Sequence, residues 1–392
     1  MDTVLMPQQK LELSLLGESV IQKKGWYTDT LRRFDDGLLV AHGEGWPPAW
    51  YKPGLPEPGY WWQVSRDGGV TWQPYIKTTN GPDHTLVRPN QWMVRRRDGS
   101  VIGWPSACCH KGKPEYKGCP GQPFSEPVVH ASSWDALLRG ESRQIESTIW
   151  VPHTVPGMAD DFTVNYGLAV WGKMVETENH HLVQAAHIAT SYDVSSRIWA
   201  NQPGTAYQLR TGVIYSQDEG ATWHYLASVA APSEHPLPAQ AEVYCEPDLL
   251  SFGEGRLLCV MRTGGNPGGA LNERFSPLMA ARSSDGGLSW TPPTPISAYG
   301  VCPVLLQMQS GLVVCLSGRP GFFLLFSDDE GQTWSPPHWV GESHGPFAKS
   351  SSGYGQLLEL EPGVLGVAYD EYAGSGDEAK VVTKFRRYRV CP

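Results

Sequence analysis

Ser65-Arg66-Asp67-Gly68-Gly69-Val70-Thr71-Trp72 is the first of four segments built on one pattern. The pattern returns as Ser216-Gln217-Asp218-Glu219-Gly220-Ala221-Thr222-Trp223, as Ser283-Ser284-Asp285-Gly286-Gly287-Leu288-Ser289-Trp290 and as Ser327-Asp328-Asp329-Glu330-Gly331-Gln332-Thr333-Trp334. Each reads S-x-D-x-G-x-[ST]-W. Ser and Asp side chains close a hairpin turn onto its own backbone, Gly takes the positive φ, and Trp packs back across the turn. The motif consumes its own polar groups, so its aspartates read as turn builders and not as catalysts.

Working outward, Asp67 lies 151 residues before Asp218, Asp218 lies 67 before Asp285, and Asp285 lies 44 before Asp329. Units of this size fit four-stranded blades, and the long first interval leaves room for one blade with a degenerate turn, its remnant being Ser132-Ser133-Trp134-Asp135. Six hairpins with alternating faces accompany the boxes, at 32–45, 92–104, 168–187, 248–262, 304–319 and 357–371. The expectation is an all-β fold, a six-bladed β-propeller with four-stranded antiparallel blades, occupying residues 1–392 as a single domain. The N-terminal LELSLLGESVIQ and the C-terminal KVVTKFRRYRV are expected to pair and close the ring.

Composition agrees. Charged residues are only 18% of the 392 residues, while 16 Trp, 16 Tyr and 10 Phe suit pleated sheets. A net charge of −9 disfavours a nucleic acid or an anionic membrane as partner. No stretch approaches a membrane span and the first residues lack a signal-peptide pattern, so the chain reads as soluble and cytoplasmic. Of eight cysteines, only Cys108, Cys109 and Cys119 cluster, with His110, and vicinal cysteines fit a tetrahedral zinc site poorly. No metal and no cofactor are expected.

The repeated boxes within these hairpins resemble the sialidase (neuraminidase) superfamily, whose six-bladed propellers cleave terminal sugars at the channel mouth. The resemblance covers nearly the whole chain and implies specific positions. Cys245-Glu246-Pro247-Asp248 looks like the family's Glu-Pro strand, which implies Glu246 as the catalytic carboxylate and Arg262, at the end of the partner strand, as a clamp for the substrate's carboxylate. Arg319 resembles the next clamp arginine, Tyr354 in Ser352-Gly353-Tyr354-Gly355 the nucleophile, and Glu371 a partner that orients a neighbouring arginine. A lone arginine at a strand end is most often a surface ion pair, and a lone tyrosine a packed aromatic. Their joint occurrence in blade order carries the functional reading.

The chemistry explains these residue types. A phenol with a free pKa of about 10 is a poor nucleophile without a carboxylate to take its proton, a role that falls to Glu246. Before reaction a phenol is neutral, so it approaches a sugar bearing its own carboxylate without like-charge repulsion. Arginines grip that carboxylate as forks.

The first blade departs from the family pattern. Tyr27 stands in the place of the first clamp arginine and Asp29 in that of a proline; Glu44 is kept, with Trp46 replacing an arginine. Candidates for the acid/base are Asp29, Glu57 and Asp83, with Asp29 preferred because it shares a strand face with Tyr27. Arg88 is a candidate replacement for the missing clamp member, and Trp46, Trp50, Trp61 and Trp62 a candidate sugar platform or simply loop packing. The leading expectation is an exo-acting retaining hydrolase of a terminal acidic sugar, with a glycan or glycoconjugate as substrate. A uronate lyase, drawing on histidines such as His84, His110, His153, His180, His181 and His187, and a non-catalytic carbohydrate-binding propeller are the alternatives.

Overall fold

Segments such as Arg256-Leu-Leu-Cys-Val-Met-Arg262 and Phe322-Phe-Leu-Leu-Phe-Ser327 are apolar at nearly every position, which an isolated two-faced sheet with one wet side does not require. A computed structural model of the chain shows why. It describes residues 11–22, 27–44, 61–75, 89–105, 109–110, 124–151, 168–195, 206–237, 243–264, 276–341, 353–373 and 380–391. Sheets stand radially, and alternate side chains of one strand enter the cores on either side of its blade. In the Arg256–Arg262 strand, Leu257, Cys259 and Met261 face one neighbour while Leu258 and Val260 face the other.

Strand β1 (Glu12–Gln22) precedes blade one, which comprises β2 (Tyr27–Arg33), β3 (Leu39–Glu44), β4 (Trp61–Ser65) and β5 (Gln73–Pro74). Blade two holds β6 (Met93–Arg95) and β7 (Val101–Gly103), then, beyond the short β8 (Cys109–His110), β9 (Phe124–Ala131) and β10 (Ser142–Trp150), with helix α1 (Trp134–Arg139) between the last two. Blade three is β11 (Leu168–Glu176), β12 (Leu182–Ser195), β13 (Ala206–Ser216) and β14 (Thr222–Ala230), with β8 on the inner edge of β11. Blade four is β15 (Cys245–Gly253), β16 (Arg256–Arg262), β17 (Leu278–Ser283) and β18 (Thr294–Ser297). Blade five is β19 (Val301–Gln307), β20 (Val313–Gly318), β21 (Phe322–Ser327) and β22 (His338–Val340). Blade six is β23 (Gln356–Glu361), β24 (Val364–Ala373) and β25 (Lys380–Cys391), completed by β1.

All six expected hairpins are present, and an apolar cluster fills each of the six blade interfaces among the described residues. Blades two and three also join edge to edge, where Thr148–Trp150 run parallel to Thr222–His224. The ring closes as the terminal segments foretell: β1 pairs antiparallel with β25 from Glu12↔Cys391 to Gln22↔Thr383.

The four Asp-boxes share one geometry. In the first, Ser65 Oγ donates to Asp67 Oδ1 at 2.7 Å and accepts the Gly69 N–H at 2.8 Å, while the Thr71 hydroxyl donates to Asp67 Oδ2 at 2.6 Å. In the other three, the Trp indole N–H donates to the box glycine carbonyl. The first box differs: Trp72 donates to Ser19 Oγ at 3.1 Å, and Ser19 Oγ donates to the Gly69 carbonyl at 2.6 Å. A serine of the closing strand is thus inserted into the staple of blade one. Gly69 lies against Phe385 of β25 so closely that an added Cβ would sit 2.1 Å from the ring.

The degenerate turn of blade two is a capped helix. Ser132-Ser133-Trp134-Asp135 occupies the right place, between the third and fourth strands of blade two, but it opens α1. Ser133 caps the helix by accepting the Ala136 N–H at 3.0 Å, and Gly140 ends it at φ 81. Ala-Leu-Leu-Arg favours a helical turn, and no glycine stands where a box needs one.

The antiparallel meander fixes which end of the channel does what. A box follows the third strand of its blade, so it lies at the opposite end from the start of the first strand and the end of the second. Among the described residues, no helix is long and apolar enough to cross a membrane.

Candidate active site

The first strand of four blades carries a bulge near its start. In β2 the register slips between Thr28 and Thr30, in β11 between Val170 and Met174, in β15 between Cys245 and Asp248, and in β19 between Val301 and Val304. The residue that follows the last regular pair is Asp29, Trp171, Glu246 and Cys302 in turn. Glu246 and Cys302 adopt φ of 43° and 44°, uncommon for residues with a Cβ. A bulge re-aims the side chain it carries, and a Pro after each of these two residues, Pro247 and Pro303, avoids a ladder N–H there.

Glu246 sits at the centre of a buried cluster. Its Oε1 accepts from the Tyr354 hydroxyl at 2.7 Å and from Arg262 at 2.7 Å, and its Oε2 accepts the Cys302 N–H at 3.2 Å. Arg262 ends β16 opposite Cys245, and both members of the Arg262–Glu246 pair are largely shielded from solvent. Arg319, just beyond β20 at φ 52, places its guanidinium 5.8 Å from the centre of the Tyr354 ring. Trp171 meets the same ring edge-on at 6.3 Å and stacks on His187 at 6.0 Å. Gly353, at φ 91, makes the approach possible: a Cβ there would lie 2.6 Å from Val301 and 3.0 Å from the Arg319 side chain.

Electrostatics set the protonation states. Burial pushes the Glu246 carboxyl up, but the Arg262 charge and hydrogen bond, with the Tyr354 hydroxyl and Arg319, outweigh it and hold the group below its ordinary value. Burial, reinforced by the Glu246 charge, raises the Tyr354 phenol well above 10 despite the two arginines. The resting pair is therefore a carboxylate and a protonated phenol sharing a short hydrogen bond. Such a pair can form a nucleophilic oxygen as its proton passes to the carboxylate during attack.

Glu246, Arg262, Arg319 and Tyr354 are thus brought together. Glu371 is buried and pairs with Lys384 of β25 at 2.8 Å. In blade one, the backbone places Tyr27 opposite Glu44 and Asp29 at the bulge, at the same end of the channel. Arg88, Glu57, Asp83, Trp46 and Trp50 lie outside the described residues, as do Cys108 and Cys119. Trp62 is no open platform: its ring packs on His42 at 4.7 Å and against the core between blades one and two.

Sequence reading missed Trp171 and the Cys302 amide, and named His187 only among the histidines open to a lyase. His187 accepts the Glu246 N–H at Nδ1, 3.2 Å away; Trp171 supports both His187 and Tyr354; and the Cys302 N–H holds Glu246. Only the last had a signal, since Val301-Cys302-Pro303-Val304 repeats the form of Cys245-Glu246-Pro247-Asp248 one blade on. Below the site, Asp248 accepts the Lys173 N–H at 2.6 Å, the Lys173 ammonium at 3.0 Å and the Leu305 N–H at 2.6 Å, tying blades three, four and five together.

Two windows of acid sensitivity follow. The Asp67 carboxyl is lowered from 3.8 mainly by the Thr71 hydroxyl; in Asp218, Asp285 and Asp329 burial opposes the shift, but the equivalent hydroxyl and backbone bonds prevail. Their stabilisation is complete above the unfolded value of 3.8 and is lost as pH falls through the lower folded values. Burial pushes His187 from 6.5 down to about 4, with Arg262 adding to the shift and Glu246 opposing it; burial also lowers His130 and His338. These histidines stay neutral in the fold while the unfolded chain takes up protons, so stability falls from about pH 6.5 towards 4. Thermal midpoints recorded between about pH 8 and pH 3 should therefore decline in two steps. A flat profile down to about pH 4.5 would contradict the neutral buried His187.

The family model of the BNR repeat-like domain matches residues 172–367, and that of the BNR/Asp-box repeat matches residues 63–74. A comparison with curated protein sequences yields no match. Among solved structures, a protein of unknown function from Dyadobacter fermentans is 15% identical, with 96% of this chain and 99% of that chain covered and a TM-score of 0.58. The α-L-arabinanase of Penicillium chrysogenum, complexed with arabinobiose, is 13% identical over 95% of this chain and 98% of that one, at a TM-score of 0.54. The NanB sialidase of Streptococcus pneumoniae is 12% identical over 95% and 70%, at 0.52. At these identities the likeness is one of fold, and chemistry must be argued from the site.

Proposed function

The chain belongs to the BNR repeat-like domain family and has a sialidase-like propeller fold, and from that premise we propose that it is an exo-acting retaining glycoside hydrolase for a terminal acidic sugar, sialic acid or a related ulosonic or uronic acid. The observation that carries this reading is the 2.7 Å hydrogen bond from the Tyr354 hydroxyl to a Glu246 carboxylate that Arg262 keeps ionised. In this mechanism Tyr354 attacks the anomeric carbon while its proton passes to Glu246 and the aglycone departs with a proton from the acid/base; water, deprotonated by that same group, then displaces Tyr354, which takes its proton back from Glu246, with overall retention. Arg262 and Arg319 flank the phenol and are assigned to the sugar's carboxylate, joined by Arg88 in place of the arginine replaced by Tyr27. Asp29, at the bulge position that Glu246 holds in blade four, is assigned the acid/base role.

The test is a screen of aryl glycosides of sialic acid, its deaminated analogue and glucuronic acid, with the product anomer followed by NMR. The expected result is release of the aryl alcohol from at least one of them with the retained anomer formed first. An unsaturated, ultraviolet-absorbing uronate product would establish the lyase instead. Sugar binding without turnover would establish a carbohydrate-binding propeller.

A further inference from the structure

We infer that His187 is a positioning residue that sets the Glu246 carboxylate against Tyr354, a role that rests on the reading of Glu246 as the base. The bulge in β15 removes the Glu246 N–H from the β15–β16 ladder and holds the residue at φ 43. A buried amide freed in this way needs another acceptor, and strained conformations persist only where their surroundings over-determine them. His187 supplies the acceptor from β12 of the neighbouring blade, where it pairs with Ala169 and Thr211. His187 is only 8% exposed and its ring stacks on Trp171 at an interplanar angle of 27°, so its direction is fixed from the side as well.

Accepting at Nδ1 requires the neutral tautomer with its proton on Nε2. The imidazole therefore directs Glu246 without adding a second cation beside it, and Arg262 remains the charge that tunes the carboxylate. The next blade repeats the device. Cys302, at the same bulge position and φ 44, donates its freed N–H to Glu246 Oε2. Two successive bulged amides thus hold opposite ends of Glu246: one anchors its backbone to blade three, the other anchors its carboxylate to blade five.

Two variants separate the acceptor from the ring. His187→Phe keeps an aromatic on Trp171 but removes the acceptor; His187→Asn keeps an acceptor near the Nδ1 position but removes the ring. With an aryl sialoside, His187→Phe should lower kcat about 100-fold with KM within about threefold, the scale of a 1 Å misplacement of a reacting group. His187→Asn should stay within about threefold of the parent. Crystal structures give a readout independent of turnover: the carboxylate leaves the Tyr354 hydroxyl in His187→Phe and stays in His187→Asn. Unchanged kcat and geometry in His187→Phe, or equal losses in both variants, would overturn the inference. Glu246→Gln distinguishes the two levels. Normal turnover by Glu246→Gln removes the base assignment, whereas an inactive Glu246→Gln beside a normal His187→Phe removes only the positioning role.

Discussion

Tyr354→Phe is expected to lower kcat on an aryl glycoside of the preferred acidic sugar by at least about 10³-fold while leaving affinity for the free sugar within about threefold. The substitution removes one oxygen and little else. The ring keeps its edge contact with Trp171 and its place beneath Arg319, and Glu246 keeps the Arg262 hydrogen bond and the Cys302 N–H. Arginines meant for the sugar's carboxylate therefore stay where they are, so binding survives while bond formation does not. Steady-state kinetics and calorimetric titration read the two quantities separately. A Phe variant with normal kcat would remove Tyr354 from the chemistry.

Asp248→Ala is expected to cost about 3–5 kcal/mol of unfolding free energy, the scale of an uncompensated buried charge. The Asp248 side chain is only 2% exposed and serves the backbone N–H groups of Lys173 and Leu305 together with the Lys173 ammonium. The ammonium also donates to the Leu305 carbonyl. Alanine strands the two backbone N–H groups and takes the counter-charge from the Lys173 ammonium, which keeps only the Leu305 carbonyl, where three blades meet directly below the Glu246 bulge. Asp248→Asn keeps an acceptor without the charge and should fall between the two. Urea unfolding followed by Trp fluorescence measures both; a loss below about 1 kcal/mol for Ala would show that water or Lys173 movement replaces the carboxylate.

Much of the fold was legible because the signals were local. A box uses only its own Ser, Asp, Gly and Trp, so its pattern survives in sequence, and the hairpins announce themselves through Asp-Gly and related turns between apolar strands. Segment 132–135 keeps the place of a box but lacks its glycine, and Ala136-Leu137-Leu138-Arg139 turns it into a capped helix. The site was legible in part. Glu246 and Tyr354 are 108 residues apart, and motif resemblance alone proposed their partnership. His187 and the Cys302 amide stayed hidden because their role depends on bulges and on contacts between blades. A backbone N–H leaves no trace in residue identity, and a buried histidine reads as any other. The ion pair of Glu371 with Lys384 likewise depends on the register of β24 on β25, which no single segment announces.

In the proposed mechanism the Tyr354 oxygen becomes covalently bound to the sugar. An acidic-sugar fluoride carrying a second fluorine beside its anomeric carbon slows the release step, so an intermediate formed by the intact protein accumulates and its peptides can be read by mass spectrometry. The predicted result is a glycosyl mass increment on the peptide that contains Tyr354, absent from Tyr354→Phe. An increment on Glu246 or Asp29, or none in a preparation that hydrolyses the matching aryl glycoside, would contradict it.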